Sequence, residues 1–402
     1  MTSLKNYGSE KTAPISIRQK NLTIRNILAL VMHSSSFLVL GHSYTDVDCI
    51  SSMVAISLLL KKFNKHVSIY LQDRFPSSVK FFKNICEYNE IMLFVGNTED
   101  LKRPDVIIIL DTPKPEMIAM DDKILSFFLQ KNIPKIEIDH HFSSDARHSG
   151  DEPYQLTLRA SSSAEIIAII CKKLSSHTQV LEKHGICEIY SRNIVMAMVT
   201  GMLGDAKMGE YLASKRDRSF FHYFLNKFDR LLQEYHYKGS KNIKNVDEAL
   251  LLLEQMTEEE SILYDIMEKY VTKMDKLALL LLDEASSLKL QAEADNFLTF
   301  LDVLRTMTGK LSDSPNLASI SCFYYPLSIS SFVEFRVRAS ESIRGIDFRS
   351  LIEEMEVPEG NGGGHAGAIC FKVDRTLITD INEYTKKLIA KVEKKITSLV
   401  SK

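Results

Sequence analysis

Short apolar runs in the first third of the chain constrain its fold more than any other feature. The run VIIIL at residues 106–110 is typical, because it is continuously apolar and rich in β-branched side chains. Segments with helical periodicity, such as residues 51–63 and 117–130, lie between several of the runs. This alternation is typical of a doubly wound parallel sheet with helices on both faces. The predicted strands are residues 37–40, 67–71, 91–95, 106–110 and 135–138.

A second α/β pattern begins near residue 276, and 402 residues are too many for one ordinary core, so we predict two domains. The first is a doubly wound α/β domain over residues 21–210, and the second a smaller α/β domain with a mixed sheet over 276–402. Residues 211–275 are predicted to be a helical linker or insertion, and residues 1–20 a loose lead-in. Further strands are predicted at 277–282, 320–325, 331–338 and 368–373, with a glycine-rich loop before the last, and further helices at 161–176, 189–202, 247–273, 296–306 and 348–355.

The composition limits the compartment and the partners. A net charge of -2 argues against a broad basic face that coats long nucleic acid. We expect no membrane segment and no export signal, because no apolar stretch is long enough to span a bilayer and the first 21 residues are polar. The six cysteines form no CxxC pair, which favours a reduced compartment. The protein is therefore expected to be cytoplasmic.

Ionisable side chains follow several of the predicted strands. Ligands of a doubly wound sheet bind beyond the carboxyl ends of its strands, so these side chains are expected to meet at one edge. Clustered carboxylates repel one another unless cations lie between them. Carboxylate and imidazole ligands suit manganese, iron or zinc, and an oxygen-rich set favours manganese or magnesium. The side chains are His42, Asp46 and Asp48 after the first strand, Asp111 after the fourth, Asp139, His140 and His141 after the fifth, and Asp205 near the end of a helix.

Each of these features has an ordinary structural explanation when it is taken alone. An Asp after a strand usually caps the next helix, which would account for Asp46 or Asp48. Asp111 precedes Pro113 and would suit a turn, and a pair of histidines is more often a surface feature. Four such features in one α/β domain are much harder to attribute to structure alone. The sequence therefore predicts a metal site.

The residues Asp139-His140-His141 match the signature of the DHH phosphoesterase superfamily, which the chain resembles over roughly residues 25–400. The segment GNGGGHAGAICF at 360–371 resembles the GGGH motif of the first type of DHH-associated C-terminal domain. Groups of similar size are the NrnA-like nano-RNases and the cyclic-di-AMP phosphodiesterases. The other matching positions are His42, Asp46 and Asp48 in the first motif, Asp111 in the second and Asp205 in the fourth.

The resemblance implies two Mn²⁺ ions at the edge of the sheet, with Mg²⁺ or Co²⁺ as substitutes. Two close cations need a shared anion, which would be Asp111, and together they lower the pKa of a water that attacks phosphorus. His141 would contact the phosphate, and Asp139 would orient a ligating imidazole. The implied ligands are His42, Asp46 and Asp111 for one ion, and Asp48, Asp111, His140 and Asp205 for the other.

The second domain is expected to bind substrate. Consecutive glycines let backbone N–H groups approach a phosphate closely. Arg336 and Arg338 alternate along a predicted strand and therefore share one face. Arg338 matches the family's substrate arginine and would clamp a terminal phosphate. The implied substrate-binding residues of this domain are Arg336, Arg338, Gly362, Gly363, Gly364 and His365.

Other positions leave alternatives open. Arg159 and Ser162 precede a predicted helix, whose N-terminus would suit an anion, but an ordinary serine cap explains them almost equally well. Thr45 stands where the family usually has Pro, and Cys49 and Cys370 stand where it has small residues. We expect a cysteine at position 49 to be tolerated between helix and sheet.

The implied function is a manganese-dependent phosphodiesterase. Its substrates would be very short oligoribonucleotides, or linear or cyclic dinucleotides such as pApA and cyclic di-AMP, and a homodimer is left open. One alternative is a phosphatase acting on 3′-phosphoadenosine 5′-phosphate. The other is an inactive protein that senses nucleotides, which the complete set of predicted ligands argues against.

Overall fold

The computed structural model describes residues 4, 7–11, 13–43, 45–142, 146–206, 215–235, 242–313, 315–340, 342–343, 345–358, 361–378 and 380–400. The chain divides into two compact units, Met1–Gln255 and Met256–Lys402. The boundary between them falls inside the segment 211–275, which was predicted to be a linker.

The first unit contains the predicted doubly wound sheet. All six strands are parallel, in the order β3-β2-β1-β4-β5-β6. Phe37 and Val39 belong to the core on one face of the sheet, and Leu38 and Leu40 to the core on the other. The α/β prediction is therefore confirmed. The strands are β1 (Ser36–Leu40), β2 (His66–Leu71), β3 (Met92–Val95), β4 (Val106–Leu110), β5 (Lys135–Asp139) and β6 (Gln155–Thr157).

Nine helices accompany this sheet among the described residues. The prediction missed α3 and β6, and it made α4 too long, because a 3₁₀ turn at Pro115–Met117 precedes that helix. The predicted helix over 247–273 is two helices and a short strand that begins at Val271. The helices are α1 (Ile17–His33), α2 (Val47–Lys62), α3 (Phe81–Tyr88), α4 (Asp122–Phe128), α5 (Ser163–Ser175), α6 (Thr178–Lys183), α7 (Arg192–Ala206), α8 (Lys215–Glu234) and α9 (Val246–Glu254).

The expectation of a loose lead-in over residues 1–20 is wrong for the described part of that segment. Helix α1 begins at Ile17 with a capping box formed by Ser16 and Gln19. Before it, Glu10 forms an isolated β-bridge with Arg147. Lys11 is only 3% exposed, because its side chain enters the interior beside the sheet. Apolar periodicity gives no signal for a buried lysine.

Helices α2, α5 and α7 pack closely beside the carboxyl ends of the strands. Gly201 on α7 makes this possible, since a Cβ at that position would lie 2.6 Å from Cβ of Ala164 and 2.8 Å from Oδ1 of Asp48. A side chain at residue 201 would therefore push α7 away from both neighbouring helices.

The second unit is also α/β, with a six-stranded mixed sheet in the order β11-β12-β10-β9-β8-β7. Among the described strands of this sheet, only β8 and β9 pair in parallel. Phe335 on one face packs with Leu388 of α14, and Phe323 on the other packs with Phe300 of α12. The elements are α10 (Glu258–Glu268), β7 (Val271–Lys273), β8 (Leu277–Leu281), α11 (Glu284–Glu293), α12 (Phe297–Leu311), β9 (Ala318–Tyr324), β10 (Phe332–Ala339), α13 (Ser350–Glu354), β11 (Gly362–His365), β12 (Ala368–Asp374) and α14 (Ile381–Val400).

None of the helices in the described part of the chain has the length and apolar character needed to cross a membrane. All six cysteines are free thiols.

Replacement of Gly201 by alanine is expected to destabilise the first unit, although alanine usually favours a helix by about 1 kcal/mol over glycine. We expect the crowding at residue 201 to lower the free energy of unfolding by more than this gain, because overpacking of this kind typically destabilises a core by about 1–3 kcal/mol. Urea denaturation of Gly201→Ala measures the difference. A variant more stable than the wild type would contradict the close packing.

Candidate metal centre

The loop after β1 brings His42 and Asp46 together at the start of α2. Asp46 is the N-cap of α2, and its Oδ1 accepts a hydrogen bond of 3.0 Å from the backbone N–H of Cys49. Its other oxygen, Oδ2, lies 3.7 Å from Nε2 of His42. Asp46 therefore caps a helix and also faces the site, so the two explanations do not exclude each other.

Asp111 lies at the centre of the cluster. It follows β4 and is buried, with φ of +51°, a left-handed conformation that only a few per cent of non-glycine residues adopt. Its Oδ1 lies 3.2 Å from Nε2 of His140, and its Oδ2 lies 3.8 Å from Nε2 of His42. Ser163 donates a further hydrogen bond of 3.1 Å to Oδ1. Asp111 thus contacts both histidines that were predicted to bind metal.

Asp48 and Asp205 lie near His140 in the same cluster. The backbone N–H groups of Ser163 and Ala164, at the N-terminus of α5, donate to Asp48 over 2.6 Å and 3.1 Å. Oδ2 of Asp205 lies 3.4 Å from Nε2 of His140. The positive end of the α5 dipole stabilises the Asp48 carboxylate.

The N-terminus of α5 was considered as a binding site for an incoming anion, but its N–H groups have a different role in the structure. Ser162 is buried, and its side chain caps α5 by accepting from the backbone N–H of Glu165. The next two backbone N–H groups already bind Asp48. Arg159 lies before the helix and is exposed. The ordinary serine cap is what the structure shows for Ser162.

Burial and mutual repulsion shift the protonation of this cluster. Burial raises the pKa of Asp48 well above its usual value, and the charges of Asp111 and Asp205 add to the shift. Burial raises the pKa of Asp205 to about 6. Burial alone would lower the pKa of His140, but its contacts with Asp111 and Asp205 raise it well above the usual value. The carboxyl groups of Asp48 and Asp205 and the imidazole of His140 therefore bind protons more readily than usual, and a cation would compete with those protons.

The donor atoms fit divalent cations. Three overlapping groups have ligand atoms within 4.8 Å of one another, and Asp111 belongs to two of them. One of the groups includes the thiol of Cys49. For this residue we predicted only that it would fit between helix and sheet, and not that it could bind metal. The groups are His42, Cys49 and Asp111; Asp111, His140 and His141; and Asp48, His140 and Asp205.

Asp139 holds His141 rather than facing the cluster itself. Its Oδ1 accepts a hydrogen bond of 2.8 Å from Nδ1 of His141, and its Oδ2 accepts one of 2.7 Å from Nζ of Lys11. Burial would raise the pKa of Asp139, but the charge of Lys11 and the contact with His141 hold it far below its usual value. Asp139 is thus a buried carboxylate that orients the imidazole of His141, which is not one of the two histidines predicted to bind metal.

Residues 36–202 match the model of the DHH family, N-terminal domain. The first unit therefore contains a DHH-family domain. Over 210 residues, half of this chain, the sequence is 22% identical to the cyclic-di-AMP phosphodiesterase PdeA of Listeria monocytogenes. The match covers 30% of that protein's length. An exopolyphosphatase-related protein from Bacteroides fragilis has a similar fold, with a TM-score of 0.63 and 17% identity over 95% of this chain and 98% of the other.

Beyond the DHH domain, the glycine-rich segment of the second unit forms a strand. It was predicted to be a loop, but β11 spans Gly362–His365 and pairs with β12. Gly364 has φ of +138°, and a Cβ there would lie 2.2 Å from the carbonyl oxygen of Ala368, so this position requires glycine. A Cβ at Gly363 would meet no atom within 4 Å. The side chain of His365 lies outside the described part of the chain.

Arg336 and Arg338 share one face of β10, as predicted, and the apolar residues between and beside them face the core. Arg336 is engaged in an ion pair, because its Nη2 lies 2.6 Å from Oε1 of buried Glu334. Nζ of Lys372 on the neighbouring strand lies 3.7 Å from the other oxygen of Glu334. The guanidinium group of Arg336 is therefore paired with Glu334 within the second unit, a role different from the predicted binding of substrate.

Metal affinity of the DHH domain is expected to increase with pH. Below about pH 6 Asp205 carries a proton that a cation must displace, and His140 carries one over a wider range. The increase in Tm on addition of Mn²⁺ is expected to be small at pH 5 and large at pH 7.5, as measured by differential scanning fluorimetry. An increase that is equal at both pH values would contradict a carboxylate and imidazole site.

Asp111→Asn is expected to abolish binding of Mn²⁺, because the variant lacks the carboxylate shared by two groups of donors. Isothermal titration calorimetry measures this loss. Asp122→Asn, on the exposed first turn of α4, is the matched control and should bind Mn²⁺ as the wild type does. Wild-type affinity in Asp111→Asn would show that the cations bind elsewhere.

Proposed function

We propose that the protein is a two-metal phosphodiesterase that hydrolyses very short oligoribonucleotides or dinucleotides, linear or cyclic, to mononucleotides. The observation that carries this proposal is the position of Asp111, which contacts both His42 and His140 at the carboxyl edge of the sheet. A carboxylate shared between two groups of donors is what a pair of close cations requires.

The residues of the cluster would hold two Mn²⁺ ions, for which Mg²⁺ or Co²⁺ can substitute. The oxygen-rich donor set suits these metals. When bound, the ions would activate water and neutralise the charge on the phosphate. The chain itself supplies the anionic pocket, excludes water from most of it and fixes the imidazoles. The proposed ligands are His42, Asp46 and Asp111 for one ion, and Asp48, Asp111, His140 and Asp205 for the other.

His141 is the residue that we assign to the phosphate. Its side chain is 21% exposed, against 3% for that of His140, so it is the more accessible imidazole of the pair. Asp139 fixes its ring through Nδ1. When Nε2 also carries a proton, an imidazole held in this way can donate a hydrogen bond from Nε2 to a phosphate oxygen and transfer that proton to the leaving oxygen.

The second unit would bind the nucleotide through its basic strand and its glycines. Arg338 lies on the same face of β10 as the ion pair of Arg336 and Glu334. The open space at Gly363 lets a phosphate approach the backbone closely. We therefore assign the terminal phosphate of the substrate to Arg338 and β11.

The similarity to a cyclic-di-AMP phosphodiesterase supports a dinucleotide substrate. Because the match covers 30% of that protein, the choice between a cyclic dinucleotide, a linear dinucleotide and a short RNA remains part of the proposal. A sensor without activity is less consistent with the site, because the described cluster contains every proposed metal ligand.

Product analysis tests the proposed reaction. Purified protein with Mn²⁺ is incubated separately with pApA, 5-mer RNA, cyclic di-AMP and 3′-phosphoadenosine 5′-phosphate, and products are separated by chromatography. We expect AMP from pApA and from the RNA, or opening of the cyclic substrate, and no product with Asp111→Asn. Hydrolysis of the last substrate alone, to AMP and inorganic phosphate, would replace the phosphodiesterase by a phosphatase. No turnover of any substrate by metal-loaded protein would overturn both.

Arg338→Met is expected to raise KM for pApA at least about tenfold, because a charge-assisted bidentate contact with the phosphate is lost. The affinity for Mn²⁺ should stay unchanged. Arg349→Met is the matched control, since Arg349 is half exposed and pairs with Asp347. An unchanged KM in Arg338→Met would remove this residue from the substrate site.

A further inference from the structure

The segment before α1 places one lysine inside the DHH domain. The backbone N–H of Lys11 donates to the carbonyl of Ala146 over 2.9 Å, and the carbonyl of Ser9 accepts from His148 over 2.8 Å. Gly8 allows this close pairing, because its φ is +79° and a Cβ there would lie 1.8 Å from the carbonyl oxygen of His148. The segment is therefore fixed against residues 146–148 and directs Lys11 inwards.

The ammonium group of Lys11 has three acceptors within hydrogen-bonding distance. Nζ lies 2.8 Å from Oε1 of Glu137, 2.7 Å from Oδ2 of Asp139 and 2.9 Å from the carbonyl oxygen of Thr112. The side chains of Lys11 and Glu137 are completely buried. An ammonium group has three N–H donors, so these contacts use all of them.

Glu137 is held from its other side by separate groups. Nδ1 of His148 lies 2.7 Å from its Oε2, and the backbone N–H of Ser149 donates to its Oε1 over 3.1 Å. Glu137 and Asp139 lie on the same face of β5, because they are two residues apart on one strand. Without Lys11 these two buried carboxylates would lie together with too little positive charge between them.

Two of the three acceptors of Lys11, Asp139 and the carbonyl group of Thr112, connect it to the proposed site. Asp139 is the residue that fixes the imidazole of His141. Thr112 directly follows Asp111, whose backbone has a left-handed conformation. Lys11 therefore contacts both the carboxylate behind His141 and the peptide next to the shared carboxylate.

We propose that Lys11 is a positioning residue of the phosphodiesterase, which holds Asp139 in the orientation that fixes the imidazole of His141. Lys11 acts through Asp139 and does not itself touch the substrate. The segment before α1 is thus part of the catalytic unit. The kinetic part of its test rests on the proposed function, and the structural part does not.

The primary variant is Lys11→Met, which keeps the aliphatic stem and removes the charge. Groups that orient the metal-ligating side chains of a site typically contribute about 10- to 100-fold to its metal affinity or activity, and we take the same range for a group that orients His141 through Asp139. We expect kcat to fall within this range, while KM and the affinity for Mn²⁺ change less than about twofold. Lys135→Met is the matched control, because Lys135 is also a buried lysine, at the start of β5, but its Nζ lies 3.6 Å from Oδ2 of Asp151 and makes no contact with Asp139 in the described structure.

A double variant separates positioning from folding. Lys11→Met combined with Glu137→Gln removes one charge of each sign, so we expect it to regain most of the Tm lost in Lys11→Met. It still lacks the hydrogen bond to Asp139, and its kcat should stay low. A double variant with wild-type kcat would show that Lys11 only neutralises Glu137, which would overturn the proposal. So would a folded Lys11→Met variant that is as active as Lys135→Met.

A spectroscopic readout keeps the inference independent of the substrate. In protein labelled with ¹⁵N-histidine and loaded with Mg²⁺, the ring of His141 is expected to carry its proton on Nδ1, where Asp139 accepts it. His141→Gln assigns the signal. In Lys11→Met this tautomer should lose its dominance, and an unchanged signal would overturn the proposal. If the wild type hydrolyses none of the substrates, the proposed function fails but this measurement still decides the role of Lys11.

Discussion

The repulsion among buried carboxylates at the carboxyl edge of the first sheet is the constraint on which the site depends. Asp48, Asp111 and Asp205 converge there with His140, and burial raises the pKa of two of the three carboxyl groups. A protein keeps such a cluster only if protons or cations offset the repulsion. The raised pKa values mean that these two carboxyl groups bind protons more readily than usual, and divalent cations would compete with those protons for the same oxygens.

The architecture around the cluster serves to bring these charges together. Parallel strands end at one edge, so β4 and β5 deliver Asp111 and the histidines side by side. Helix α5 directs its N-terminal N–H groups at Asp48, and Gly201 of α7 lets the neighbouring helices approach. Behind His141, the buried Lys11 pairs with two further carboxylates, those of Glu137 and Asp139. Stability and function of the unit are therefore coupled, since the same close contacts support both.

Much of this arrangement was predictable because it follows from local patterns. Continuous apolar runs predicted β1, β2, β3, β4 and β5, and the residues after them predicted the cluster. The three-residue strand β6 has no such run, and the glycines of β11 suggested a loop although Gly364 is held in a strand pair. The buried position of Lys11 depends on Glu137 and Asp139, more than a hundred residues away, so no local pattern reveals it. Arg336 and Glu334 pair with each other. They are two residues apart on one strand and therefore share a face, so this pair could have been predicted from the sequence.

We propose that the cluster around Asp111 binds two divalent ions. Anomalous diffraction at the manganese edge, from crystals of the protein grown with Mn²⁺, tests it most directly. We expect two peaks about 3.5–4 Å apart, with the carboxylate of Asp111 next to both and with His42 and His140 on opposite sides. A single peak that is not bound to Asp111, or no peak at this edge of the sheet, would contradict it.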